Sequence, residues 1–141
     1  MSNEVIIEEL NTILRGTYMG IRFFEHYIHK VEDVELKRVF QSMQQEVKLN
    51  AQKLAERIQN LGGIPADGEG FSGSMHSLMH KNMLPNDTNE MLEDALKGLD
   101  QYGVQYSEEL VRGDLDPESS QLVEEVIDTS RRQVEQLRHY L

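Results

Sequence analysis

The sequence predicts an all-α protein that folds as a four-helix bundle with one long crossover connection. Four segments carry apolar residues at the alternating three- and four-residue spacing of an amphipathic helix. Glycine and proline separate these segments, and the connection between the second and the third is far longer than a helical hairpin needs. At 141 residues, the chain is long enough to form one domain over residues 1–141 with its own core.

The first helix is predicted over about residues 3–31. Its main apolar stripe keeps heptad spacing, and Thr17 fills the one gap. The stripe consists of Leu10, Leu14, Ile21, Phe24, Ile28 and Val31. Further apolar residues widen it, among them Tyr18, Met19, Phe23 and Tyr27. A stripe this broad is expected to be covered partly by another segment or by a second subunit.

The second helix is predicted over about residues 34–61, with Asp33 as its N-cap and Gly62-Gly63 at its end. Its seam consists of Leu36, Phe40, Met43, Val47, Leu54, Ile58 and Leu61. One seam position is polar, and it is Asn50. The side chains that face Asn50 therefore decide whether the bundle contains a chemical site or only a core.

The crossover covers residues 62–87. Its first part is rich in glycine, and Ser74 is expected to cap a short helix over Met75–Leu84 that Pro85 ends. A link of this length favours a return of the chain to the other end of the bundle, so that the second and third helices are parallel. The alternative is an up-down-up-down bundle with a folded-back loop.

The last two helices are predicted over about residues 88–112 and 117–141. Asp87 or Thr88 begins the third helix, and Asp116-Pro117 is a typical start for the fourth. The apolar face of the third consists of Leu92, Ala95, Leu99, Tyr102, Tyr106 and Leu110. That of the fourth consists of Val123, Val126 or Ile127, Ser130, Val134, Leu137 and Leu141.

Composition narrows the class of function. Fourteen basic and 25 acidic residues give a net charge of −11, which disfavours nucleic acid and anionic lipid as partners. The absence of cysteine excludes disulfides and thiolate chemistry. The N-terminal segment has no long apolar run, so we expect no signal peptide, no membrane span and a cytoplasmic location.

Several short motifs occur in a fixed order along nearly the whole chain. They are Leu14-Arg15-Gly16, Val34-Glu35-Leu36-Lys37 with Phe40, Leu54, Leu61-Gly62-Gly63-Ile64-Pro65, Gly73-Ser74-Met75-His76, and Gly98 with Tyr106. In this set the chain resembles an uncharacterised ferritin-like family of small bacterial four-helix proteins, a domain of unknown function grouped with rubrerythrin-type bundles. The resemblance implies a ferritin-like bundle with a short helix in its crossover.

The resemblance also indicates where a di-metal centre would lie. Iron-binding ferritin-like relatives resemble this pattern but carry glutamate at the positions of Thr17, Val47 and Leu99, and histidine at that of Asn50. Uncharged side chains cannot balance two divalent cations in a core. We therefore expect no cofactor. The alternative is iron held by the displaced ligands Glu25, His29 and Glu46.

The central positions instead predict a layer of hydrogen-bonded polar groups that fixes the register of the helices. Its expected members are Thr17, Asn50, Tyr102, Tyr106, Ser130 and Gln133. We expect no catalytic residue, because the chain shows no Ser-His-Asp set, no phosphate-binding loop and no pair of poised carboxylates.

Two histidine groups have both a metal-binding and a structural interpretation. Glu25 and His29 share a helix face, but histidines in the last turns of a helix also suit its dipole. His76 and His80 in the crossover lie one turn apart beside Met75, Met79 and Met83, a combination that would suit copper. Flexible core filling over Phe23 and Tyr27 is the favoured interpretation of this helix.

The sequence therefore favours a non-catalytic or vestigial ferritin-like bundle that acts as a structural or interaction protein, over an enzyme. The resemblance adds a stress-associated role. A homo-oligomer, expected to be a dimer, would form through the first helix or the crossover. Two alternatives are a di-iron oxidase or iron-handling protein, and a carrier of an apolar ligand that uses the wide face of the first helix.

Overall fold

A computed structural model describes residues 3–100, 108 and 115–141, except for the side chains of residues 71, 72 and 76. These residues form helices and connections without a β-strand, which confirms the predicted all-α class. The helices are α1 (Asn3–Lys30), α2 (Val34–Asn60), α3 (Gly70–Met83), α4 (Thr88–Gly98) and α5 (Pro117–Arg138). The predictions for Tyr102, Tyr106 and Leu110 concern residues outside those described.

Helices α1 and α2 form an antiparallel hairpin. Asp33 caps α2, as predicted, because its side chain accepts a hydrogen bond of 2.9 Å from the backbone N–H of Leu36. At the other end Gly62 has a positive φ of 89°, which suits glycine after a helix terminus. Gly63 follows in close contact with α1, since a Cβ there would lie 2.8 Å from Cγ2 of Ile7.

The crossover runs back along α1. Asn11 fixes its beginning by donating to the carbonyl of Ile64 at 3.1 Å and accepting from the N–H of Ala66 at 2.7 Å. Lys30 donates to the carbonyl of Leu84 at its end. Because Asn11 and Lys30 lie in opposite halves of α1, the chain reaches the other end of the hairpin before α4 begins. Helix α4 therefore runs in the same direction as α2.

The start of the crossover helix corrects the sequence prediction. Helix α3 begins at Gly70 rather than at Met75, so Ser74 lies inside the helix and does not cap it. The positive φ of 77° at Gly70 turns the chain into the helix. Glu69 stabilises this first part by accepting a hydrogen bond of 2.9 Å from Oγ of the buried Ser77. This contact joins the residue before the helix to a residue two turns along it, a spacing that the sequence analysis did not consider.

The core has two apolar clusters at opposite ends of the helices. The first consists of Phe24, Tyr27, Ile28, Val31, Leu36, Phe40, Met43, Leu84, Met91, Leu92, Ala95 and Leu137. The second consists of Ile6, Leu10, Ile13, Leu14, Ala51, Leu54, Ile58, Val123, Val126 and Ile127. Helix α5 packs antiparallel to α2 across both clusters. The described helices contain no segment long and apolar enough to cross a membrane.

Candidate functional site

A polar layer lies between the two apolar clusters. Asn50 on α2 donates a hydrogen bond of 3.1 Å to Oγ1 of Thr129 on α5. Thr129 in turn donates to the carbonyl of Glu125 at 3.0 Å, and Thr17 on α1 donates to the carbonyl of Ile13 at 2.8 Å. The two threonine hydroxyls are thus satisfied within their own helices, and Asn50 links two helices.

The partner of Asn50 is a residue that the sequence analysis did not name. Thr129 faces Asn50, whereas Ser130 is only half-buried. The fourth seam could be traced through either Val126 or Ile127, and α5 buries both of them. That orientation turns Thr129 inward, and Ser130 lines the same pocket beside it. No periodicity in the sequence distinguishes these two rotations of the helix.

Gln133, a predicted member of the layer, is almost fully buried at 1% exposure. Its Nε2 donates to the carbonyl of Met43 at 3.2 Å and lies 3.5 Å from Oε1 of Glu46. Among the described residues, its Oε1 has no hydrogen-bond partner. Gln133 therefore connects α5 to α2 one turn beyond the contact between Asn50 and Thr129.

A pocket of about 90 Å³ opens at the level of this layer, between α1, α2, α4 and α5. Its described lining contains no acidic, basic or histidine side chain. Thr17, Val47, Asn50 and Leu99, where the resemblance described above would place metal ligands, all line it. These four residues do not fit a di-metal centre, because none supplies a carboxylate or an imidazole.

The alternative ligands Glu25, His29 and Glu46 lie on two different helices. Glu25 and His29 are exposed on α1, and Oε1 of Glu25 lies 3.5 Å from Nε2 of Gln44. Glu46 pairs with Arg132 on α5 at 3.3 Å. Within the described part of the chain, no group of three or more acidic or histidine side chains is arranged to hold a metal ion. The side chain of His76 lies outside that part.

A second cluster, which the sequence analysis missed, joins three helices where α3 crosses α1. Tyr27 on α1 donates a hydrogen bond of 2.6 Å to Oδ2 of Asp94 on α4. The same oxygen accepts a bond of 2.6 Å from Nε2 of His80 on α3. Phe23 stacks on the His80 ring at a centroid distance of 3.9 Å, and Nδ1 of His26 lies 3.1 Å from Nδ1 of His80. We call these residues the His80 cluster.

The surroundings change the proton affinity of three groups in the His80 cluster. Burial raises the pKa of Tyr27, and its bond to Asp94 raises it further. Burial acts to raise the pKa of Asp94, but the hydrogen bonds from His80 and Tyr27 outweigh it and lower that pKa. Burial, followed by the neighbouring His80, lowers the pKa of His26. Asp94 carried no sequence signal, because its partners are far away along the chain.

The outer face of α3 also differs from expectation. Met75, Leu78, Met79 and Met83 are 52%, 57%, 59% and 76% exposed, respectively. The prediction that these methionines fill the core is therefore wrong. Helix α3 directs Ser77 and His80 toward α1 and leaves the methionines on the opposite side. We call these four residues the α3 stripe.

The fold and the pocket define the class of the molecule: it is an all-helical protein with a small pocket whose described lining is uncharged. The chain belongs to the family described as Domain of unknown function (DUF2383), which matches residues 5–112. The predicted membership of an uncharacterised domain family is thereby confirmed. No curated protein and no solved structure gives a significant match.

Proposed function

We propose that this chain is a non-catalytic ferritin-like four-helix bundle that acts as a structural or interaction protein in the bacterial cytoplasm. The parallel course of α2 and α4 supports the ferritin-like arrangement, since bundles with one crossover connection have this topology. The uncharged positions around the pocket support the non-catalytic role. The stress-associated role that the resemblance implies belongs to the same proposal.

The observation that carries the interaction role is the α3 stripe. Its four large apolar side chains lie on one face of one helix, and each is more than half exposed. Contiguous exposed apolar residues typically mark interaction sites in soluble proteins. Methionine suits such a surface, because its flexible thioether side chain adapts to the shape of a partner.

The spacing of the stripe favours a second copy of this chain as the partner. Met75 and Met83 lie four residues before and four residues after Met79. A two-fold axis through Met79 would therefore place Met75 of one copy beside Met83 of the other. The contact is a single helix on each side, so we expect a weak, concentration-dependent dimer.

The net charge gives this dimer a distinctive salt dependence. Each copy carries a net charge of −11, so two copies repel one another at low ionic strength. Salt screens that repulsion and strengthens an apolar contact. A basic partner bound by charge would show the opposite response, because salt weakens attraction between unlike charges.

Sedimentation over a wide range of protein concentration tests the dimer. We expect the wild-type chain to associate and the Met79→Glu variant to stay monomeric, because the substitution buries a like charge against its own copy. Leu49→Glu is the matched control, since Leu49 is 52% exposed on α2, away from the stripe. A wild-type chain that is monomeric throughout, or equal effects of both substitutions, would contradict the proposal.

The alternative of a di-iron oxidase or an iron-handling protein is tested separately. Purified protein is incubated with Fe(II), Mn(II) or Zn(II), desalted and analysed for bound metal. About two ions per chain, the number in ferritin-like di-metal proteins, lost in Glu46→Ala or His29→Ala, would overturn the non-catalytic interpretation. Metal that brief chelation removes without loss of stability would support it.

A second candidate function, that of an apolar-ligand carrier, is favoured by the pocket. Phe24, Val47, Leu99 and Val126 contribute apolar walls, and the described lining offers no cation for a carboxylate ligand. An occupant would therefore be small, uncharged and apolar. At about 90 Å³ the pocket is smaller than the cavity of about 150 Å³ that holds benzene in an engineered protein.

A further inference from the structure

The His80 cluster connects the crossover helix to α1 through a pair of histidines. The Nδ1 atoms of His26 and His80 are 3.1 Å apart, and the ring centroids are 5.4 Å apart with planes inclined by 25°. If both nitrogens lay on the line between the ring centres, the centroid separation would equal the 3.1 Å between the nitrogens plus the two ring radii. The observed separation of 5.4 Å is close to that sum. The two nitrogens therefore point at one another, which is the geometry of a hydrogen bond with one shared proton.

This geometry limits how many protons the pair can hold. Nε2 of His80 carries a proton, because it donates to Asp94. When His80 is neutral, its Nδ1 accepts a hydrogen bond from the N–H at Nδ1 of His26. When His80 is protonated, its Nδ1 donates to a neutral His26. When both are protonated, two N–H groups face one another at 3.1 Å and the bond is lost.

We propose that the His26–His80 pair is a pH-sensitive latch, which holds α3 on α1 near neutral pH and loosens when both histidines become protonated. The latch is a property of the fold by itself. Its significance for association rests on the proposed function, because α3 carries the stripe through which two copies would meet.

The charged groups around His26 come from two helices and the loop before α3. On α1 and α3, Arg22 and Lys81 disfavour a further positive charge, as does His80 itself. Glu69, which also pairs with Arg22 at 3.8 Å, acts in the opposite direction. Burial is the strongest influence, and together these groups lower the pKa of His26 below 6.5.

The groups around His80 hold its ring by hydrogen bonds. Asp94 accepts from His80 and is itself held by Tyr27, whose hydroxyl lies 3.1 Å from Nε2 of His80. Lys97 on α4 also faces Asp94 and helps to keep it ionised. With one added proton on the pair, one ring still donates to the other across the 3.1 Å between the Nδ1 atoms, so only the second added proton opens the latch.

The sign of the pH dependence follows from the lowered pKa of His26. When α3 is released, the pKa of His26 returns to near 6.5. The released state therefore binds a proton more tightly than the latched state does. Acid therefore favours release, starting as the pH falls below 6.5. A one-proton linkage limits the change in the opening equilibrium to about tenfold per pH unit.

Hydrogen–deuterium exchange at several pH values on either side of 6.5 tests the latch. After correction for intrinsic exchange rates, we expect α3 amides to lose protection as the pH falls, while amides in the middle of α2 keep theirs. His26→Gln retains an uncharged polar partner for His80 and should abolish the pH dependence. His29→Gln, at an exposed position on the same helix, should leave it unchanged. Parallel pH profiles for α3 and α2, or equal effects of the two substitutions, would overturn the proposal.

A second measurement keeps the test decisive where His26→Gln lowers overall stability. Ring-nitrogen NMR titration of the wild-type chain should show His26 and His80 protonating in two separate steps, the second coinciding with the loss of α3 protection. Two independent titrations without that coincidence would refute the latch. Dilute Met79→Glu protein should show the same exchange profile, so the latch and the dimer can fail separately.

Discussion

The hydroxyl of Tyr27 offers a direct test of the His80 cluster. Tyr27→Phe removes one oxygen atom and keeps the ring, which packs against Phe40 at a centroid distance of 5.2 Å. The lost bond is the 2.6 Å hydrogen bond to Oδ2 of Asp94. His80 continues to donate to the same oxygen, so the substitution leaves Asp94 with a partner.

The expected loss follows from the charge and exposure of Asp94. A hydrogen bond to a charged group contributes about 1.5–3 kcal/mol to stability. The side chain of Asp94 is 36% exposed, so solvent reduces that contribution. We therefore expect Tyr27→Phe to lower the free energy of unfolding by about 1–2 kcal/mol at neutral pH.

The loss should depend on pH in a defined direction. The hydrogen bonds from His80 and Tyr27 hold the pKa of Asp94 below its ordinary value of 3.8. The stabilisation is therefore present above pH 3.8 and is lost as the pH falls through the lower, folded pKa. Removing Tyr27 moves that pKa upward, so the wild-type chain and the variant should converge in stability in acid.

Urea unfolding at neutral pH and below pH 3.8 measures both effects. Tyr140→Phe is the matched control, because Tyr140 packs on the same apolar cluster near the end of the described chain. We expect the control to change stability by less than about 0.5 kcal/mol at either pH. A Tyr27→Phe loss equal to that of the control, or one that does not vary with pH, would refute the argument.

Two further predictions concern the crossover and the pocket. Asn11→Ala should lower the free energy of unfolding by about 2–3 kcal/mol, since it leaves the carbonyl of Ile64 and the N–H of Ala66 without their partner. Urea titration measures this loss, and Asn60→Ala, at an exposed position, is the control. Xenon should shift the methyl NMR signals of pocket residues selectively, and Gly20→Leu, which adds a side chain to the pocket lining, should remove those shifts. Shifts that persist in the Gly20→Leu variant would exclude the pocket as the xenon site.

The helical class could be predicted because its signals are local. Apolar periodicity marks the helices, and the side chains of Asp33, Asp87 and Asp116 cap α2, α4 and α5 as their positions indicate. Each of these signals depends on residues within one or two turns. Local interactions of this kind are visible in a single sequence.

The candidate site could be predicted only in part, for a physical reason. Thr17 and Asn50 follow from the seams, but which residue of α5 binds Asn50 depends on a small rotation of α5 against α2. The His80 cluster is still harder to predict from the sequence, because Tyr27 and Asp94 are 67 positions apart. Contacts between residues far apart in the chain depend on the relative position and rotation of the packed helices, which the residue spacing within one helix does not determine.

The two anchors of the crossover have a consequence for the order in which the chain assembles. Asn11 and Lys30 both belong to α1, and they hold the backbone at Ile64, Ala66 and Leu84. All five of these residues precede α4 in the chain. The first three helices can therefore pack together while the rest of the chain is still being synthesised. The contacts between α2 and α5 join residues up to 90 positions apart and must close last. Until α5 is synthesised, the apolar residues of α1 and α2 that it later covers are exposed to solvent, and misassembly can begin there.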